Sequence, residues 1–136
     1  MSFVLDASMT MAWCFPDEAD ASADAVLDRL RRTGAVVPVV WPLEVANTLL
    51  VGERRQRLAP GQAAHFIAFV EALPITVDSA ALQRALGPIL ALAREQHLAS
   101  YDAAYLDLAM MLGLPIASRD GLLRSAARRV GVQLVQ

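Results

Sequence analysis

Apolar and polar positions along this chain follow two rhythms. Short β-branched or apolar runs fall at 3–5, 35–37, 75–77, 115–117 and 132–135, and longer stretches of helical period lie between them. The first helical stretch sets Ala21, Ala25, Leu27 and Leu30 on one side. It stops at Arg31-Arg32-Thr33-Gly34, where basic residues fill the last turn and Gly follows. The spacing predicts a second helix over 42–57, and Pro60-Gly61 separates it from a third over 62–73. Residues 79–97 read as helical, with a kink at Gly87-Pro88. Ser100 is expected to cap a helix that runs through Leu112 and is closed by Gly113 and Pro115, and a last helix over 121–130 stops at Gly131.

Strands that alternate with helices predict an α/β fold with a parallel sheet covered on both faces. Right-handed crossovers then give a doubly wound, three-layer α/β/α sandwich, with five strands for the five apolar runs. The two helices between the second and third strands are more than a crossover needs, enough to stand off the sheet as a lobe. No linker, repeat or low-complexity tract interrupts the chain, so residues 1–136 read as a single domain.

Composition narrows the chemistry. With 136 residues, 56% hydrophobic and 19% charged, the chain has enough apolar material for a core without disulfides or metal staples. Twelve basic residues against fourteen acidic ones, a net charge of −2, exclude a non-specific DNA coater. All the basic residues are Arg; the absence of Lys excludes a Walker A phosphate loop and Schiff-base chemistry. A single cysteine, Cys14, excludes an internal disulfide and a thiolate metal site. Two histidines, His65 and His97, supply a zinc site or a Ser-His-Asp triad poorly. The first residues, Met1-Ser2-Phe3-Val4-Leu5-Asp6, lack the basic start of an export signal, and no apolar stretch is long enough for a bilayer. The chain therefore reads as cytoplasmic, with no membrane partner.

Most acids read as solvated: Asp17, Glu18, Asp20, Asp24 and Asp28 on one helix face, and Glu53, Glu71, Asp78 and Glu95 elsewhere. Four do not. Asp6 ends the first strand, Glu44 lies in the expected first turn of an otherwise apolar helix, Asp102 opens a helix, and Asp120 follows the fourth strand. Singly, each is explained as a helix cap or first-turn acid. Together they fall on one edge of a parallel sheet, because strand C-termini and the following helix N-termini lie on the same side. Four carboxylates in one crevice repel unless something positive sits among them, and no Lys is present to do so. An oxygen-rich, nitrogen-poor set suits Mg²⁺ or Mn²⁺. One such ion, or a pair, activates water and stabilises the leaving oxygen of a phosphodiester.

At these residues the chain resembles a PIN domain, specifically the VapC-type toxin ribonucleases of type II toxin–antitoxin pairs. Val4-Leu5-Asp6-Ala7-Ser8 is similar to the opening strand and first acid of that family, and Pro42-Leu43-Glu44-Val45-Ala46-Asn47-Thr48-Leu49 to its second-acid helix. Ser100-Tyr101-Asp102-Ala103-Ala104-Tyr105-Leu106 resembles the third motif most specifically, and Ile116-Ala117-Ser118-Arg119-Asp120 resembles the fourth. The resemblance covers nearly the whole chain. It implies a sheet of order 3-2-1-4-5 and Mg²⁺-dependent cleavage of RNA, with Mn²⁺ as a substitute. Asp6 and Asp102 would be the main metal ligands, with Asp120 and Glu44 completing the cluster; Ser8 and Ser118 would orient water or a carboxylate. A homodimer and a cognate VapB-type antitoxin would be its partners.

Other residues carry less. Arg119 either binds phosphate or lies on the surface, and Arg54, Arg55 and Arg57 end the second helix, where RNA contact is an alternative to simple exposure. Arg29, Arg31, Arg32, Arg128 and Arg129 are explained by helix C-termini. Trp13, Cys14, Phe15, Met110, Met111 and Tyr105 are read as packing, although Tyr105 lies one helical turn from Asp102. Asp107, some 140° around the helix from Asp102, should point away from the site. Two other functions compete: a non-catalytic PIN-like protein-binding module, and a phosphoacceptor domain. The missing Lys and the absence of paired acids after the first strand count against the second.

Overall fold

In a computed structural model that describes residues 1–135, strands and helices alternate along the chain. The order is β1 (Val4–Leu5), α1 (Ala7–Met11), a 3₁₀ turn (Pro16–Glu18), α2 (Ala21–Thr33), β2 (Ala35–Pro38), α3 (Val40–Arg54), α4 (Pro60–Glu71) and β3 (Ile75–Asp78). Then come α5 (Ala81–Arg84), a π-helical segment (Ala85–Ile89), α6 (Leu90–Gln96), α7 (Ser100–Leu112), β4 (Ile116–Ala117) and α8 (Gly121–Val130). The protein is thus an α/β fold whose parallel sheet is flanked by helices.

Among the described residues the sheet has four strands in the order β3-β2-β1-β4, not five. All pairings are parallel, with Val4 opposite both Val36 and Ile116, and Ala35–Pro38 opposite Ile75–Asp78. The expected fifth strand, 132–135, contributes a single parallel bridge between Ile116 and Leu134. Its position is the one expected, beside β4, but β4 is only two residues long. On that side Ile116 alone has backbone groups to give: its N–H donates to Gln133 O and its carbonyl accepts from Val135 N, both at 2.9 Å. The carbonyls of Pro115 and Ala117 face β1 instead and accept from Val4 N and Asp6 N. Parallel strands alternate their bonds in this way, so a two-residue strand supports one bridge on its outer edge.

One hydrophobic core takes in β1, the inner faces of the helices and the first residues of β4, with Phe3, Val4, Leu5, Leu106, Ile116 and Leu123 all at zero exposure. In α2 the buried residues are Ala23, Val26 and Leu30, while Ala21 and Ala25 are exposed. Leu30 is buried and Leu27 packs against the core as expected, whereas Ala23 and Val26 take the buried places expected of Ala21 and Ala25. Asp20 caps the helix by accepting from Ala23 N at 2.7 Å. The two helices between β2 and β3 are not a detached lobe. Trp41, Val45 and Leu49 of α3 and Ala63, Phe66 and Val70 of α4 are buried in the same core. Trp41 Nε1 donates to Thr10 Oγ1 at 3.0 Å, which ties α3 to α1.

Several helix ends differ from expectation: α4 runs Pro60–Glu71 rather than 62–73, with Pro60 in its first turn instead of before it. α3 starts at Val40, ahead of Pro42, and its last turn ends at Arg54. Gln56 then adopts a left-handed conformation (φ 60°) and Arg57 N donates back to Gly52 O, so Arg57 leaves the helix. Ser100 is the first helical residue of α7 rather than its cap; that place belongs to Ala99. Around Gly87-Pro88 the chain forms a π-helical segment, because Pro88 cannot donate the amide that a regular α-helix needs there.

Candidate active site: a carboxylate cleft at the strand ends

Each of the four singled-out acids arrives on a different element. Asp6 directly follows β1 and sits at the N-cap of α1, Asp120 at the N-cap of α8 after β4, and Asp102 in the first turn of α7. Glu44 lies a turn inside α3 rather than at its start, since that helix begins at Val40. All four line one cleft of about 470 Å³, together with Ser8, Thr48, Glu18, Arg57 and Arg119. The parallel sheet delivers this convergence: β1 and β4 are neighbours in the sheet, so the loops that leave them carry Asp6 and Asp120 to the same edge.

Asp6 is the buried member, 4% exposed. Two hydroxyls hold the same carboxylate oxygen: Ser8 Oγ donates to Oδ2 at 2.7 Å and Ser118 Oγ donates to it at 2.6 Å. Both serines are themselves fixed by the following loop, for Arg119 N donates to Ser8 Oγ and Asp120 N to Ser118 Oγ. Ser8 and Ser118 thus orient Asp6 rather than face the cleft as free hydroxyls. Burial pushes the Asp6 carboxyl above its usual range, the two hydroxyls pull it back, and the Asp120 charge pushes it up again.

Asp102 is half-buried, and among the described residues nothing donates to its carboxylate. Burial first, then the charges of Asp120 and Asp6, raise its pKa to about 6. Glu44 is raised for the same first reason, burial. Tyr105 opposes that shift by donating its hydroxyl to Glu44 Oε1 at 2.6 Å, and the charges of Asp6 and Asp102 reinforce it. Tyr105 is fully buried and its own phenol is pushed far up, chiefly by burial, so it stays a donor. Asp120 spends one oxygen, Oδ1, on Leu122 N at 2.9 Å and Leu123 N at 3.4 Å.

These shifts show carboxylates close enough to feel one another's charge. Still, among the described residues no three His, Cys, Asp or Glu side chains stand at a spacing that would hold a metal ion. The local bonds account for that spread. Asp6 is drawn to the serines, Glu44 to Tyr105 and Asp120 to its helix cap, and mutual repulsion favours the separation. The donor chemistry itself, carboxylate oxygens with no lysine or histidine lining the cleft, is the set that hard divalent cations take.

Tyr105, expected in packing, and Arg57, for which RNA contact was the alternative to simple exposure, both belong to the site. The spacing of Tyr105 from Asp102 was the available signal, and burial of its ring and engagement of its hydroxyl prove compatible. Asp107 points away as expected: Arg84 grips it with two bonds, Nε to Oδ2 at 2.7 Å and Nη2 to Oδ1 at 3.0 Å. A second cleft of about 600 Å³, walled by Trp13, Cys14, Leu58, Phe66 and Phe69, adjoins the first and shares Arg57, but among the described residues no carboxylate lines it. None of the described helices is long and apolar enough to cross a membrane.

No protein-family model matches the chain, and no curated protein matches it by sequence. The crystal structure of PAE2754 from Pyrobaculum aerophilum is similar, with a TM-score of 0.70 and 23% identity over 99% of this chain and 84% of that one. At that identity the likeness establishes the shared fold and nothing more.

Proposed function

We propose that this chain is a PIN-like, three-layer α/β/α endoribonuclease that depends on a divalent ion, Mg²⁺ or Mn²⁺, and serves as the toxin of a VapC-type toxin–antitoxin pair. The observation that carries the reading is the cleft itself: Asp6, Glu44, Asp102 and Asp120, from four elements, meet at the strand ends. The four motifs that resemble the family are the segments that bring them there. The same reading supplies a homodimer and a VapB-type antitoxin as partners.

The oxygen-only donor set fits such an ion, and Asp6, Asp102 and Asp120 are the residues that would hold it. When bound, a divalent ion supplies water activation and charge stabilisation at the leaving oxygen of a phosphodiester. The chain's own groups do the rest. Ser8 and Ser118 keep Asp6 in one rotamer through Oδ2. Tyr105 holds Glu44 by Oε1, so Oε2 remains to accept a proton from an attacking water.

The test is cleavage of total bacterial RNA by the purified protein with Mg²⁺ or Mn²⁺, followed by mapping of new ends. New ends that vanish with EDTA and with Asp6→Asn are the expected result. Ends that persist in Asp6→Asn at wild-type level would contradict the assignment. If cleavage and Mn²⁺ binding both fail, the remaining reading is a PIN-like protein-binding module.

A further inference from the structure

Two arginines stand at the rim of the carboxylate cleft, and both are engaged by one short acidic segment. Arg57 Nη2 donates to Asp17 Oδ1 at 3.1 Å, to Asp17 Oδ2 at 3.2 Å and to Glu18 Oε2 at 3.2 Å. Arg119 Nη1 donates to Asp20 Oδ2 at 2.9 Å. Among the described residues they are the only cations lining the cleft. Phe15, 2% exposed, lies 3.9 Å beneath the Arg57 guanidinium and fixes its plane. The left-handed turn at Gln56 brings Arg57 back over that ring. Arg119 is held by its own backbone, whose N–H is bonded to Ser8 Oγ.

As ion-pair partners these acids do little for the fold; Asp20 contributes separately, by capping α2. Asp17 and Asp20 are largely exposed, no residue of the 3₁₀ turn is buried, and ion pairs in such settings contribute little to stability. Elsewhere arginine serves structure differently: Arg84 grips the buried Asp107, and Arg129 donates to the buried Gln96. A polyanion that approaches four carboxylates meets repulsion everywhere except at these two positions. Planar guanidinium groups match phosphate oxygens as they match carboxylates.

We infer that Arg57 and Arg119 are the phosphate-holding pair of this cleft, and that Asp17, Glu18 and Asp20 occupy them in the free protein and are displaced by RNA. The inference rests on the nuclease reading for its ligand, and its test separates the two. Asp20→Asn removes the charge opposite Arg119 while Asn still caps α2, since Asn and Asp cap equally well.

The probe is a fluorescein-labelled twelve-nucleotide single-stranded RNA of mixed sequence. Binding is measured against salt concentration in an Asp102→Asn background, so that the probe stays intact. Arg57→Gln with Arg119→Gln should lower the slope of log affinity against log salt by about 1.4, about 0.7 for each lost phosphate contact. Asp17→Asn, Glu18→Gln and Asp20→Asn together leave both arginines in place and should tighten binding several-fold. An unchanged slope in the arginine variant, or unchanged or weaker binding in the acid variant, overturns the proposal, as does failure of the probe to bind at low salt. Cleavage by the wild-type protein is scored separately. Cutting with an unchanged slope removes the arginine pair and keeps the nuclease; a lowered slope without cutting does the reverse.

Discussion

Asp102 shows most directly what the crowding of carboxylates in this cleft costs the fold. Its carboxyl titrates near 6 in the fold, against 3.8 ordinarily, because burial and the charges of Asp120 and Asp6 disfavour the ionised form. Between those two values the folded state binds more protons than the unfolded chain, so stability falls as pH rises through that window. Asp6 and Glu44 are raised too and act in the same direction. Asp20 is lowered, chiefly by its bond from Ala23 N, and its effect lies below pH 3.8. In EDTA, the protein should therefore melt at a higher temperature at pH 5 than at pH 7.5. Asp102→Asn should flatten that dependence and stabilise the protein at pH 7.5 by about 1 kcal/mol, discounted for the half-exposed group, or about 3 °C. Melting that rises with pH over the same range would contradict the shifts. At this scale much was legible. Asp6, Glu44, Asp102 and Asp120 stood out because acids sat among apolar neighbours at strand ends and helix starts. Tyr105 was legible only through its spacing, one helical turn from Asp102; a tyrosine at a core position does not tell which acceptor its hydroxyl reaches.

The link between α1 and α3 positions two of the four carboxylates. Thr10, fully buried in α1, donates Oγ1 to Asp6 O at 3.2 Å and accepts from Trp41 Nε1 of α3 at 3.0 Å. One hydroxyl thus ties the turn that carries Asp6 to the helix that carries Glu44. Thr10→Val keeps the shape of the side chain but strands the indole N–H of Trp41, which is 7% exposed. That substitution should cost about 2 kcal/mol in chemical denaturation, the penalty of a buried donor left unmet. A loss below about 0.5 kcal/mol would show the bond to be incidental. Helix positions were largely readable from apolar period and from Gly and Pro, but their ends were not. α3 begins before its proline, and it exits through a left-handed Gln56, next to Gly52, which packs so closely on Phe15 that a Cβ would sit 3.2 Å from the ring. That exit turned Arg57 toward the cleft, which no helical projection of 42–57 would reveal.

For the molecule as a whole, sheet order decides where the carboxylates meet. β1 at the centre between β2 and β4 sends Asp6 and Asp120 to one edge, and α7 and α3 add Asp102 and Glu44 there. Alternation of strand and helix was enough to predict the parallel sheet and its acidic edge. It was not enough to predict that the last apolar run, 132–135, would make one bridge instead of a strand, because the limit is the two-residue length of β4. The proposal that this edge holds a divalent ion is decided by calorimetric titration of Mn²⁺ into the wild-type protein and into Asp6→Asn. Saturable binding to the wild-type protein is expected, accompanied by proton release at pH 6 as Asp102 ionises, with at least tenfold weaker binding to Asp6→Asn. Equal binding to both proteins, or none to the wild-type, would contradict it.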